Sequence, residues 1–176
     1  MAKSCDLTVR ALSLRSTQGV VLLGPLRFPC ALGRAGRSAS KREGDGATPW
    51  GRWVLRRTLY RQDRVARPRA PVPVAAIRPN DGWCDSVGDR NYNRFIRHPY
   101  PASAERLWRE DRLYDVVVVL GHNDIPRVQG MGSAIFLHVA GPGLTPTEGC
   151  IALERRHLVR LLACMRRGGV AVRTAH

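Results

Sequence analysis

The apolar residues of this chain fall in short runs separated by glycine, proline and polar residues. Two runs in the second half, 114–123 and 133–140, are almost wholly apolar, as is typical of strands buried on both faces. Runs in the first half are bounded by Gly and Pro, which predicts further strands joined by turns. The remaining predicted strands cover 7–14, 19–28, 53–61 and 170–175, with an extended edge segment over 67–85.

Two segments have helical features. In 154–169 four apolar residues recur at i, i+3, i+4 and i+7, two arginines occupy the last turn and glycine follows. Residues 101–111 begin with Pro101, have Ser103 as a plausible N-cap and carry Glu105 in the first turn, which predicts a second, short helix. The predicted fold class is therefore mainly β with a few short helices. The apolar residues of the first helix are Leu158, Leu161, Leu162 and Met165.

The length of 176 residues fits a single domain, 1–176, with a core over about 8–173. The glycine-rich polar stretch 34–50 predicts a long surface loop. No aliphatic run is long enough to span a bilayer, so we expect no membrane span, and the first residues contain no apolar run typical of a signal peptide. We expect a monomer.

The net charge of +15 favours partners that carry negative charge. Only Lys3 and Lys41 are lysines, so nearly all 29 basic residues are arginines. Such a field favours anionic partners, namely nucleic acid, anionic lipid or a carboxylate-rich polymer, although an arginine-rich proteome would give the same composition. Because the arginines are dispersed and aromatic residues make up only 6%, we expect no nucleic-acid partner. A basic module that binds an anionic polymer stays open as the non-enzymatic alternative.

The five cysteines, at positions 5, 30, 84, 150 and 164, form no CxxC pair. An odd count without such pairs argues against a disulfide framework and against a compact zinc site, so no metal is expected. The count favours one free reactive thiol.

The stretch TPTEGCIAL places Cys150 directly after Gly149. Glycine permits a tight turn, and backbone N–H groups at such a turn can face a developing oxyanion. The predicted helix from 154 follows almost at once, and a helix N-terminus would lower the pKa of the Cys150 thiol. His138, 12 residues upstream at a strand end, could accept the thiol proton.

The same residues have a purely structural interpretation. A cysteine in an apolar setting is usually a small core residue, and a histidine at a strand end is usually only hydrogen-bonded. His122 is a second candidate base, Cys164 is predicted to pack in the helix, and the other histidines, His98, His157 and His176, are predicted at the surface.

The segment GSAIFLHVAGPGLTPTEGCIAL resembles the active-site segment of the L,D-transpeptidase catalytic domain family, the YkuD-like group. That family has a histidine at a strand end, a variable loop, then Ser/Thr-x-Gly-Cys and an apolar residue. Flanking stretches 31–55, 82–97 and 107–123 resemble other family segments, so the likeness covers most of the chain. Glu148 and Ala152 depart from the family pattern, and the loop 139–146 is short. The matching residues are His138, Thr147, Gly149, Cys150 and Ile151.

The resemblance implies a single β-sandwich or barrel-like domain and acyl transfer on peptidoglycan stem peptides. Cys150 would attack a donor tetrapeptide at the L-centre of diaminopimelate and release D-alanine, His138 would act as base and acid, and the backbone N–H groups of Gly149 and Cys150 would hold the oxyanion. Thr147 and Glu148 would contact substrate.

A diaminopimelate-containing acceptor stem would then resolve the thioester, whereas water would make the enzyme an L,D-carboxypeptidase or amidase. The resemblance implies no cofactor and a place in the periplasm or cell wall. Four arginines are candidates for binding stem-peptide carboxylates: Arg94, Arg97, Arg127 and Arg155.

Overall fold

In the computed structural model, the described residues, 7–11, 13–166 and the backbone of 171–175, form fourteen strands, one α-helix and one 3-10 turn at Pro142–Leu144. The first seven strands are β1 (Thr8–Arg10), β2 (Gln18–Leu23), β3 (Leu26–Ala31), β4 (Arg37–Ser38), β5 (Thr48–Pro49), β6 (Arg52–Tyr60) and β7 (Val74–Ala76). The others are β8 (Asp81–Cys84), β9 (Arg94–Arg97), β10 (Ala104–Arg106), β11 (Val116–Leu120), β12 (Phe136–Val139), β13 (Ile151–Leu153) and β14 (Ala171–Ala175), and the helix is α1 (Arg155–Cys164).

The main sheet closes on itself. Its strands follow the order β11-β12-β13-β3-β2-β1-β14-β6, and β6 also pairs with β11, while β7 extends β6 as an edge strand. Closure removes the exposed edges that a nine-stranded open sheet would present. The mainly β fold class and its barrel-like form are thereby confirmed. A separate sheet, β10-β8-β9, covers part of this barrel.

Alternation along β11 separates two apolar clusters. Val116, Val118 and Leu120 join an aliphatic cluster that draws on every barrel strand whose side chains are described, so this cluster fills the barrel interior. Val117 and Val119 point the other way, into an aromatic cluster with Trp83 and Tyr114 beneath the three-stranded sheet. Both faces of β11 are therefore buried, as its apolar run predicts.

The predicted helix at 154–169 is confirmed in type, although α1 ends earlier, at Cys164, and 167–170 lie outside the described residues. Its four apolar residues pack into the barrel interior. The predicted helix at 101–111 is wrong, because Ala104–Arg106 pair with β8. That segment has few apolar residues and no helical stripe, so strand pairing supplied by the tertiary fold overrides its capping signals.

The prediction of a surface loop at 34–50 is wrong for part of that segment. It contains the parallel pair β4–β5, and several of its side chains are buried. Lys41 is 5% exposed, and it is kept there by an ion pair with Asp45. Within the part of the chain that the structure describes, no helix is long and apolar enough to cross a membrane.

Candidate active site

Strand register brings His138 and Cys150 to one face of the barrel. β12 runs antiparallel to β11 with His138 opposite Val117, and parallel to β13 with His138 opposite Ala152. Side chains alternate along a strand, so Cys150, two residues before Ala152, shares the face of His138. That face carries the aromatic cluster, which includes Cys150 itself.

The Cys150 thiol is buried and held by the backbone of the segment that leads into β12. Its Sγ donates to the Ala134 carbonyl at 3.2 Å and accepts from the Phe136 N–H at 3.3 Å. Burial and, secondarily, the Glu105 carboxylate raise the pKa of Cys150 to about 12, against the smaller lowering effect of the Phe136 N–H and Lys41. The predicted lowering by a helix N-terminus is wrong, because β13 separates Cys150 from α1.

His138 is 5% exposed and fixed at one ring nitrogen. Its Nδ1–H donates to the Val139 carbonyl at 2.8 Å, which leaves Nε2 as the basic nitrogen, and the ring meets Tyr114 edge-on at 5.3 Å. Burial lowers the pKa of His138 to about 4, so the imidazole is neutral at neutral pH. A neutral imidazole is the form that can accept a proton.

The turn before Cys150 is built by Thr147. Its hydroxyl donates to the Cys150 carbonyl at 2.6 Å and accepts from the Gly149 N–H at 3.2 Å. Gly149 has φ +127°, and a Cβ there would lie 2.8 Å from the Ala47 carbonyl oxygen, so only glycine suits this position.

The Glu148 side chain is exposed to solvent. It is 77% exposed and pairs with Arg34 Nε at 2.8 Å across the mouth of the site. Such an exposed pair contributes little to stability. Glu148 therefore does not orient His138, although it lies at the rim of the cavity described next.

A cavity of about 630 Å³ opens over the thiol and the imidazole. Its walls are rich in charged groups: the Tyr114 hydroxyl donates to Glu105 at 2.5 Å, and the Arg109 guanidinium lies 3.8 Å from the same carboxylate. Burial raises the pKa of Glu105, with Tyr114 and Arg109 opposing that effect. Thr147 and Glu148 line the cavity with the acidic residues Glu43, Asp85, Glu105 and Asp111 and with Arg109.

Several charged residues at this site were not predicted from the sequence. Arg109 lines the cavity, whereas the four candidate arginines do not: Arg94 and Arg127 line a separate cavity beside Trp83. Glu105 was assigned to the first turn of a helix that does not form. Lys41, the second of only two lysines, stood out by residue type, but the loop prediction concealed its burial.

The other described cysteines and histidines do not line the thiol cavity, and Cys5 lies outside the described residues. His122 bonds the Met131 carbonyl at 2.9 Å and meets Trp53 edge-on, so the structure does not bring it to Cys150. The surface prediction fails for His157, which stacks on Phe28, and His98 is only partly exposed, while His176 lies outside the described residues. Cys164 was predicted to pack but is exposed, and Cys30 and Cys84 are buried and unpaired.

Comparison with known proteins agrees with this geometry. A family model described as YkuD: L,D-transpeptidase catalytic domain matches residues 17–172, nearly the whole chain. Searches of curated proteins and of solved structures found no significant match.

Proposed function

The chain belongs to the L,D-transpeptidase catalytic domain family, and from that membership we propose that it transfers acyl groups between peptidoglycan stem peptides through a thioester on Cys150. The observation that carries the proposal is the register of β12 and β13, which puts Cys150 and His138 on one face under one cavity. A thiol and an imidazole that line one cavity, with the imidazole Nδ1–H held by a backbone carbonyl, suit covalent acyl transfer.

The resting site holds a neutral pair. With the pKa of Cys150 raised to about 12 and that of His138 lowered to about 4, thiol and imidazole are both uncharged at neutral pH. The thiol proton therefore moves to His138 Nε2 as the sulfur attacks, rather than before substrate binds. Substrate that displaces water from the cavity strengthens every charge contact during this step.

In the first half-reaction the Cys150 sulfur adds to the donor carbonyl at the L-centre of diaminopimelate. The carbonyl oxygen becomes an oxyanion, and the backbone N–H groups of Gly149 and Cys150 receive it once the Gly149 N–H exchanges its bond with Thr147. Collapse of this adduct breaks the C–N bond, and the imidazolium of His138 gives its proton to the departing D-alanine. The product is a thioester on Cys150.

In the second half-reaction an acceptor amine attacks the thioester, with His138 taking its proton and returning it to sulfur. The acidic wall formed by Glu43, Asp85 and Glu105 favours an acceptor that binds as an ammonium group, which releases one proton to solvent before its neutral amine attacks, and Arg109 favours the carboxylate of a stem peptide. Water in place of the amine gives the carboxypeptidase or amidase reaction. We place this activity in the periplasm or at the cell wall, where the family works.

The test is mass spectrometry of the purified protein incubated with a disaccharide-tetrapeptide. We expect a protein adduct at Cys150 together with a cross-linked dimer, and neither product from Cys150→Ala. His138→Ala should slow adduct formation by about 100-fold or more, whereas His122→Ala should have a small effect. A shortened monomer in place of the dimer would assign the hydrolytic reaction, and identical products from Cys150→Ala would overturn the proposal.

A further inference from the structure

Lys41 is the one lysine among the described residues, and it is buried beside the reactive thiol. Its side chain is 6% exposed, and its ammonium pairs with Asp45 in the same loop. Burying an ammonium is costly unless it is paired, so a lysine in this place requires an explanation beyond solubility.

Gly132 leaves room for the Lys41 side chain, and the ammonium lies next to Gly149. A Cβ on Gly132 would lie 2.9 Å from Lys41 Cγ, and a Cβ on Gly149 would lie 3.4 Å from Lys41 Nζ. Both glycines have positive φ, +93° and +127°. The ammonium thus ends against the peptide that precedes the nucleophile.

Negative charge on the Cys150 sulfur needs a nearby cation to stabilise it. His138 is neutral at rest, the Gly149 N–H is already bonded to Thr147, and the Glu105 carboxylate on the opposite wall disfavours negative charge on sulfur. Tyr114 belongs to the same cluster as Cys150, and its hydroxyl, which donates to Glu105, stays protonated because burial raises its pKa. Of the two charged groups that act on the sulfur, Glu105 and Lys41, only Lys41 is positive, and Arg109 on the cavity wall is paired with Asp111.

Resting on the proposed function, we propose that Lys41 is the electrostatic residue of this site: its ammonium stabilises the Cys150 thiolate and the oxyanion that forms beside Gly149. Asp45 has the opposing role, since its carboxylate holds the ammonium in place and offsets part of its charge. Attraction between the ammonium and negative charge at sulfur lowers the pKa of Cys150 from the value that burial alone would give.

The test measures thiolate formation without any substrate. Iodoacetamide alkylation of Cys150 is followed by peptide mass spectrometry from pH 7 to 10 in the full chain, with buried Cys30 as the internal reference. Below the pKa, a shift of half a unit changes the thiolate fraction about three-fold. Lys41→Met should slow alkylation of Cys150 by about three-fold or more, and Lys41→Arg should keep most of the rate.

Asp45→Asn separates charge from structure. It breaks the same ion pair as Lys41→Met, yet it frees the ammonium, so alkylation of Cys150 should become faster. A purely structural ion pair would make the two variants change in the same direction, and that result would overturn the proposal. Should Lys41→Met fail to fold, Asp45→Asn decides alone, because slower or unchanged alkylation contradicts the proposal.

The result is independent of the proposed function. Alkylation needs no donor peptide, so an enzyme that lacks transpeptidase products could still show the opposite responses of the two variants. Conversely, a protein that forms the adduct and the dimer but shows no change in Lys41→Met would keep the proposed function and lose this inference.

Discussion

Two buried cysteines, Cys30 and Cys150, lie on opposite faces of the barrel wall. Both are buried, but the side chains around them differ. Burial raises the pKa of both thiols to about 12. Cys30 packs inside the barrel among aliphatic side chains, whereas Cys150 lies under a charged cavity with His138 beside it. The comparison teaches that burial does not distinguish the proposed nucleophile from a structural thiol. What distinguishes Cys150 is the set of charged and basic groups that share its face.

The largest expected effect is the loss of activity on removal of the Cys150 thiol, with removal of the Cys30 thiol as its control. Cys150→Ala should lower transpeptidase activity by at least about 1,000-fold, because the proposed mechanism carries the acyl group on the Cys150 sulfur. Cys30→Ala should keep that activity and lower the free energy of unfolding by about 1 kcal/mol, since it leaves a small cavity among aliphatic side chains. Product assays and urea unfolding of both variants test the contrast, and equal loss of activity in Cys30→Ala would contradict it.

Acid should lower the free energy of unfolding, because the buried His138 imidazole takes up a proton. Its pKa is about 4 in the folded protein and about 6.5 when unfolded, so the unfolded state binds more protons between these values. The neutral imidazole contributes its full stability above pH 6.5 and loses it as pH falls towards 4, a change of about 3 kcal/mol. Urea unfolding at pH 7, 5.5 and 4.5 should show a flatter profile for His138→Gln than for wild type. Parallel profiles would show that His138 is not the group responsible.

Removing the exposed ion pair between Arg34 and Glu148 at the cavity rim should have the smallest effect. Arg34→Gln removes the ion pair with Glu148, whose side chains are 56% and 77% exposed. Water and salt screen such a pair, so the free energy of unfolding should change by less than about 1 kcal/mol. Thermal unfolding at low and high salt measures it, and a large, salt-independent loss would mean that the rim is more rigid than its exposure indicates.

The strands were predictable where apolar runs are bounded by glycine, proline or polar residues, as in the predicted segments 7–14 and 53–61, which contain β1 and most of β6. The apolar runs at 114–123 and 133–140 contain β11 and β12, and the helical spacing of four apolar residues contains α1. The sequence pattern and the family resemblance therefore identified His138 and Cys150 as candidate site residues. Their common face is a property of strand register, which the sequence pattern leaves open.

Other features depend on partners distant in sequence. Ile151–Leu153 are three apolar residues that suit a strand or the start of a helix, and pairing with β12 and β3 decides for a strand. Glu105 belongs to a segment with capping signals, yet pairing with β8 carries it to the cavity wall. The burial of Lys41 depends on Gly132, which is distant in sequence and leaves room for its side chain. Local propensity contains none of this information.

The exposed thiol at the end of α1 has a practical consequence. Cys164 is the one exposed cysteine among those described, while Cys150 lies beneath the cavity. Among the described cysteines, a maleimide dye at neutral pH should therefore attach to Cys164 first, which gives a handle for fluorescence labelling or surface immobilisation that leaves the cavity open. A covalent inhibitor meant for Cys150 needs the opposite design: a weak electrophile that resembles the donor carbonyl, so that recognition by the cavity rather than intrinsic thiol reactivity selects the target.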